Sequence, residues 1–89
     1  MPRVMIPPPF QGPTRGQREI KVEGGTLREC LEAVDADYAG FLAQVVREDG
    51  GAQRFVKLFV NQEEVVDGNL DIALDLDDEI EILAAIGGG

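Results

Sequence analysis

The chain reads as an α+β domain, a mixed sheet with one main helix packed on one of its faces. Three observations predict this. Two short stretches near the N-terminus alternate charged and branched apolar residues at the period of a strand. One amphipathic helical pattern then follows, and three further strand-like stretches lie beyond it. With 89 residues there is room for one domain. A domain of that size buries about two-thirds of its unfolded surface, which leaves little space for a deep catalytic cleft.

Arg3-Val4-Met5-Ile6 is the first predicted strand, and Arg18-Glu19-Ile20-Lys21-Val22 the second, with Ile20 and Val22 on a common face. The two form a hairpin. Between them, Pro7 to Gly16 holds four prolines and two glycines, which predicts a long, extended, poorly hydrogen-bonded loop in place of a tight turn. Gly24-Gly25 breaks the second strand. Thr26 and Glu29 then have capping-box spacing, so a helix starts at Leu27 with Leu27, Cys30, Leu31 and Val34 as its apolar stripe. A second helical stretch spans Tyr38 to Arg47, with Tyr38, Phe41, Leu42 and Val45 at the same spacing, and Gly50-Gly51 ends it.

Arg54 to Val60 is the strongest strand pattern. Val56, Leu58 and Val60 take one face, and Phe55, Lys57 and Phe59 the other. Asn61-Gln62-Glu63-Glu64 supplies a turn, Val65-Val66 a short return, Asp75 to Asp78 an acidic turn, and Glu79 to Leu83 a final alternating strand. This succession is the ordering of a β-grasp fold. It predicts a domain over residues 1–83 and a flexible glycine tail over 84–89.

Seventeen acidic residues against eight basic ones give a net charge of -9, and 44% hydrophobic content argues for a folded chain. Such a charge repels phosphate backbones and anionic lipid alike, so neither nucleic acid nor membrane is expected as a partner, and a basic patch on another protein is favoured. Cys30 is the only cysteine and there is no histidine. The commonest general base is therefore absent, no thiolate cluster for a metal can form, and no metal site or resident cofactor is expected. The thiol reads as core, because a reactive one needs a cationic, partly exposed setting. No signal pattern precedes Pro7-Pro8-Pro9, and no apolar run approaches the ~20 residues that span a bilayer, so a cytoplasmic location is predicted.

The chemical feature is the sequence Gly87-Gly88-Gly89, preceded by Ala84-Ala85-Ile86. Without Cβ atoms the glycines can enter a narrow channel and leave a carbonyl open to attack. Six extended residues reach about 20 Å, enough to enter a partner's active site. An α-carboxylate with a pKa of about 3.5 is ionised at neutral pH and is a poor acyl electrophile, so activation must come from a separate enzyme. The competing reading is that the glycines are incidental, as terminal residues often are.

Several segments together resemble the ubiquitin-like sulfur carriers of the MoaD/ThiS type. They are Ile6-Pro7, Thr14-Arg15-Gly16-Gln17, Gly25-Thr26-Leu27, Arg54-Phe55-Val56-Lys57-Leu58-Phe59-Val60-Asn61 and the terminal glycines. That family includes the small subunit of molybdopterin synthase and the thiamine- and cysteine-pathway carriers. The resemblance implies a carrier and not an enzyme in its own right. It implies further that a ubiquitin-activating-like enzyme uses ATP to adenylate the Gly89 carboxylate, that a sulfur donor converts it to a thiocarboxylate, and that a synthase accepts the sulfur. The alternative is a protein modifier joined to lysines through Gly89. Where the family often carries glycine, this chain has Gln62 and Asp78, and it ends in three glycines where two are usual.

Phe55 and Phe59, with Ile86 as the one large side chain of the tail, are the candidate partner-binding residues, since only one face of their strand can meet the helix. The alternative is that the N-terminal loop folds Phe10 over this face and completes the core.

Overall fold

Leu27, Cys30, Leu31 and Val34 are fully buried in the computed structural model, which describes residues 1–65 and 69–84. They line the inner side of helix α1, Leu27–Asp37. The stripe lies on a sheet formed by β1 (Arg3–Met5), β2 (Glu19–Lys21), β3 (Val56–Val60), β4 (Glu63–Glu64) and β5 (Glu79–Ala84). Among the described residues the strand order is β2-β1-β5-β3-β4, with β1 and β5 parallel and the other neighbours antiparallel. This is the β-grasp arrangement expected from the sequence. Val4, Ile20, Val56, Leu58, Ile80 and Ile82 face the helix and are buried, each contributing about 1.5–3 kcal/mol relative to exposure.

The start of α1 is secured from several directions. The Thr26 hydroxyl accepts from the Glu29 amide at 3.1 Å, while the Glu29 carboxylate reaches past the cap to accept from the Gly25 amide at 2.8 Å. The reciprocal half of the capping box thus falls one residue earlier than expected. Two free amides of the first turn, Leu27 and Arg28, donate to the carbonyls of Ile72 and Leu70. The Arg28 guanidinium bonds Asp71 at 2.9 Å and the Gly50 carbonyl at 2.8 Å, joining two loops to the helix. That hydrogen bond, with the nearby charge, holds the Asp71 carboxyl below the usual carboxylate range. A Cβ on Gly24 would lie 2.9 Å from both the amide nitrogen and the sulfur of Cys30, so the close entry of the chain into α1 requires glycine there.

The second helix is shorter than its periodicity suggested. It covers Phe41–Val45, and Tyr38 instead caps the C-terminus of α1. Gly40, at φ 101°, breaks the run, and Asp35 near the end of α1 accepts from the amides of Gly40 and Leu42, fixing the new start. The returning strand also lies earlier than expected: β4 is Glu63–Glu64, with Val65 extending the pairing through its amide to the Leu58 carbonyl. Its expected continuation at Val66 lies outside the described residues. The cause is the tight β3–β4 turn, in which Asn61 and Gln62 alone form the loop, both with positive φ.

The proline-rich loop is not poorly hydrogen-bonded. Pro8–Phe10 form a 3-10 turn, the Gln11 side-chain amide donates to the Ile6 carbonyl, and Thr14 is fully buried with its hydroxyl 3.1 Å from the Gln17 carbonyl. Prolines remove donors, but here the remaining amides and one buried hydroxyl close the loop upon itself. Among the described residues no helix is long and apolar enough to cross a membrane.

Candidate functional site

β5 is the inner strand that leads to the C-terminus. On one side it pairs with β1 from Glu79 to Glu81, and on the other with β3 from Ile80 to Ala84. Ala84, the first residue of the predicted tail, is still in the strand opposite Val56. Ala85, Ile86 and the three candidate glycines Gly87, Gly88 and Gly89 lie outside the described residues. The sheet therefore places Ala84, the last described residue, at the end that also carries the loop 7–17 and the residues before β3.

The two candidate aromatic side chains have different neighbours. Phe59 lies within β3, half-buried on the face away from α1, with Glu64 and Glu81 opposite it on the neighbouring strands. Phe55 precedes the strand, and its ring stands 6.3 Å from the ring of Phe10. Phe10 is itself buried in the core, so the N-terminal loop does close this end of the sheet, and Phe55, 44% exposed, flanks it. The loop leaves the face around Phe59 uncovered. There Leu83, 47% exposed, joins Phe59, Gln62 and Glu81 around a shallow hollow. Sequence reasoning missed Leu83, although its parity with Glu79 and Glu81 placed a leucine where the strand turns charged residues outward.

Cys30 is buried, with its sulfur 3.8 Å from the Gly24 carbonyl oxygen. Burial first, and then the negative charges of Glu29 and Asp78, push its thiol up from the usual cysteine value, which suits packing and disfavours a nucleophilic thiolate. Among the described residues no group of three or more histidine, cysteine or carboxylate side chains can hold a metal ion. The described part of the molecule thus offers an inner strand leading to the tail, an outward Phe59–Leu83 surface beside it, and a core thiol unsuited to chemistry.

The model of the ThiS family matches residues 13–89. Among solved structures, a chain in the crystal structure of the BexX/CysO complex of Amycolatopsis orientalis is 31% identical. It covers 100% of this chain and 100% of its own length with a TM-score of 0.91. CysO of Mycobacterium tuberculosis, described as an antigen, is 30% identical over 97% of this chain and 100% of its own, with a TM-score of 0.89. SAMP1 of Haloferax volcanii shares the fold at a TM-score of 0.75, with 20% identity over 99% of this chain and 98% of its own. No curated protein sequence matches. A family match over most of the length, together with two solved structures at about 30% identity on the same arrangement of strands, leads to one conclusion. The chain belongs to the ThiS family of ubiquitin-like sulfur carriers.

Proposed function

We propose that the Gly89 carboxylate is the group this carrier uses. A carboxylate oxygen attacks the α-phosphorus of ATP in the site of a ubiquitin-activating-like enzyme and expels pyrophosphate, giving an acyl adenylate. Hydrosulfide from a sulfur donor then attacks the acyl carbon, AMP leaves, and a thiocarboxylate remains. A sulfur-accepting synthase of molybdopterin, thiamine or cysteine biosynthesis takes the sulfur, and Gly87 and Gly88 give the narrow approach that both partners need. The observation that carries this reading is the family match running through residue 89 on a fold whose inner strand leads there.

The protein contributes binding and presentation, with no catalytic side chain of its own. Phe59, Leu83 and Ile86 serve as partner contacts, with Phe55 at their border. The cytoplasm, where ATP and reduced sulfur coexist, is the compartment that fits this chemistry. The test is intact-mass spectrometry after incubation with ATP, sulfide and a ThiS-type adenylating enzyme. The mass should rise by the difference between one sulfur and one oxygen atom, and an unchanged mass with an enzyme shown active on its own carrier refutes the reading. Conjugation to lysines would instead give high-mass species on denaturing blots.

A further inference from the structure

The eight cations of this acidic chain are unevenly committed. Arg3 faces Glu19 and Glu79, Arg28 holds Asp71, and Arg47 holds Asp49. Arg15 lies over the Tyr38 ring, and Lys21 shares a surface hollow with Asp77 at the opposite end of the sheet from Ala84. Arg18, Arg54 and Lys57 remain, all exposed and, like Arg15 and Lys21, without a carboxylate at ion-pair distance among the described residues.

These three gather at one place. Lys57 stands opposite Leu83 across the β3–β5 pairing, and Arg54 lies two residues before Val56, the partner of Ala84. Arg18 lines a groove together with Leu83, Pro7, Pro8 and Glu81. By register and chain position these three cations thus form a collar at the end of β5, while Asp75, Asp77, Asp78 and Glu79 crowd the start of that strand. Basic side chains thus cluster near Ala84 in a chain whose net charge is -9.

We propose that Arg18, Arg54 and Lys57 dock an acidic surface on the protein that receives the tail, with Leu83 as the apolar contact between them. This reverses the basic partner expected from net charge alone, and it rests on the carrier reading above. Charge complementarity selects the occupant. An extended polyanion such as nucleic acid would run from the collar onto Glu19, Glu81 and Glu64, which lie in the adjoining row of the outward face, whereas a compact acidic patch meets only the cations. Exposed Leu83 and Phe55 between the charges suit a protein interface, where an apolar centre has a charged rim.

The experiment measures the initial rate of thiocarboxylate formation at subsaturating adenylating enzyme, for the parent and for the triple variant Arg18→Glu, Arg54→Glu, Lys57→Glu. All three positions are exposed, and circular dichroism checks that the variant folds. The variant should be slower by about tenfold or more at low salt, with the gap closing as added salt screens the charges. Lys21→Glu, at the far end, should leave the rate unchanged. A triple variant as fast as the parent, or a Lys21→Glu loss equal to the triple variant's, overturns the proposal. If the parent itself is not thiocarboxylated, the carrier reading fails and the collar is judged separately by NMR titration of the full chain with a tetraglutamate peptide. Shifts centred on the amides of Arg18, Phe55, Lys57 and Leu83 then support it, and none, or shifts spread over the molecule, overturn it.

Discussion

Replacing Gln62 by glycine should make the protein more stable, whereas the same replacement at its neighbour Asn61 should make it less so. Both residues sit in the two-residue loop between β3 and β4 with left-handed backbone, φ 73° for Gln62 and 51° for Asn61. A side chain with a Cβ holds that conformation at a cost of about 1–2 kcal/mol. Glycine removes the cost but gives back about 0.4–1 kcal/mol through the greater freedom of the unfolded chain. The Gln62 side chain makes no hydrogen bond among the described residues, so the difference, about 0.5–1 kcal/mol, should appear as a gain and raise Tm by about 2–8 °C. Asn61 differs because its amide donates to Asp78 at 2.8 Å and its oxygen accepts from the Glu79 amide at 3.0 Å. Those two bonds are worth about 0.5–1.5 kcal/mol each, and asparagine tolerates the left-handed region, so Asn61→Gly should lose about 1–2 kcal/mol. Urea unfolding followed by circular dichroism, with unchanged m-values, measures both. A neutral or destabilising Gln62→Gly, or the same sign at both positions, would refute the reasoning.

Gly24→Ala should cost about 1–3 kcal/mol by overpacking against Cys30, and Cys30→Ala should not restore it because the clash also involves the Cys30 amide; chemical denaturation of the single and double variants decides this. Cys30→Ser should lose about 1–3 kcal/mol by placing a hydroxyl in an apolar site while leaving thiocarboxylate formation at the parental rate, and a folded variant that is adenylated without accepting sulfur would assign the thiol to the chemistry. Asp71 has its carboxyl depressed in the folded state, so its stabilising effect is present above the unfolded carboxyl value near 3.9 and is lost as pH falls through the lower folded value. The Tm difference between the parent and Asp71→Asn should therefore be largest near neutrality and vanish in strong acid; a difference independent of pH would show that Arg28 gains nothing from the charge. Phe59→Ala should weaken binding to the adenylating enzyme more than Phe55→Ala does, read by calorimetry, because Phe55 is partly engaged with Phe10; equal losses would show that the contact with Phe10 does not withhold Phe55 from the partner.

The core was legible because burial leaves a periodic imprint. The α1 stripe, the inward faces of β3 and β5, and the Thr26–Glu29 cap are all local patterns. What escaped depended on contacts distant in sequence or on single backbone angles. Tyr38 has helical spacing with Phe41, yet Gly40 and the Asp35 carboxylate divide the segment between two helices. The loop from Pro7 onward looked open because prolines dominate its composition, while its order depends on buried Thr14 and Phe10. At the candidate site, alternation located Phe59 correctly but extended the strand pattern over Phe55, which the structure sets against Phe10 instead. The collar was invisible for a different reason. Net charge sums over the whole chain, and only strand register brings Arg18, Arg54 and Lys57 beside Leu83.

A strand bonded along both edges also has mechanical meaning. β5 carries registered pairs with β1 on one side and with β3 on the other. A pull on Ala84 along the strand axis cannot peel these bonds off in succession, as it would from an edge strand such as β4, but loads both rows in shear at once. The helix packed beneath adds resistance through the buried Ile80 and Ile82. Tension applied through Ala84 is thus borne by two rows of hydrogen bonds together, which suits the proposed role, in which a partner works on the end of the chain.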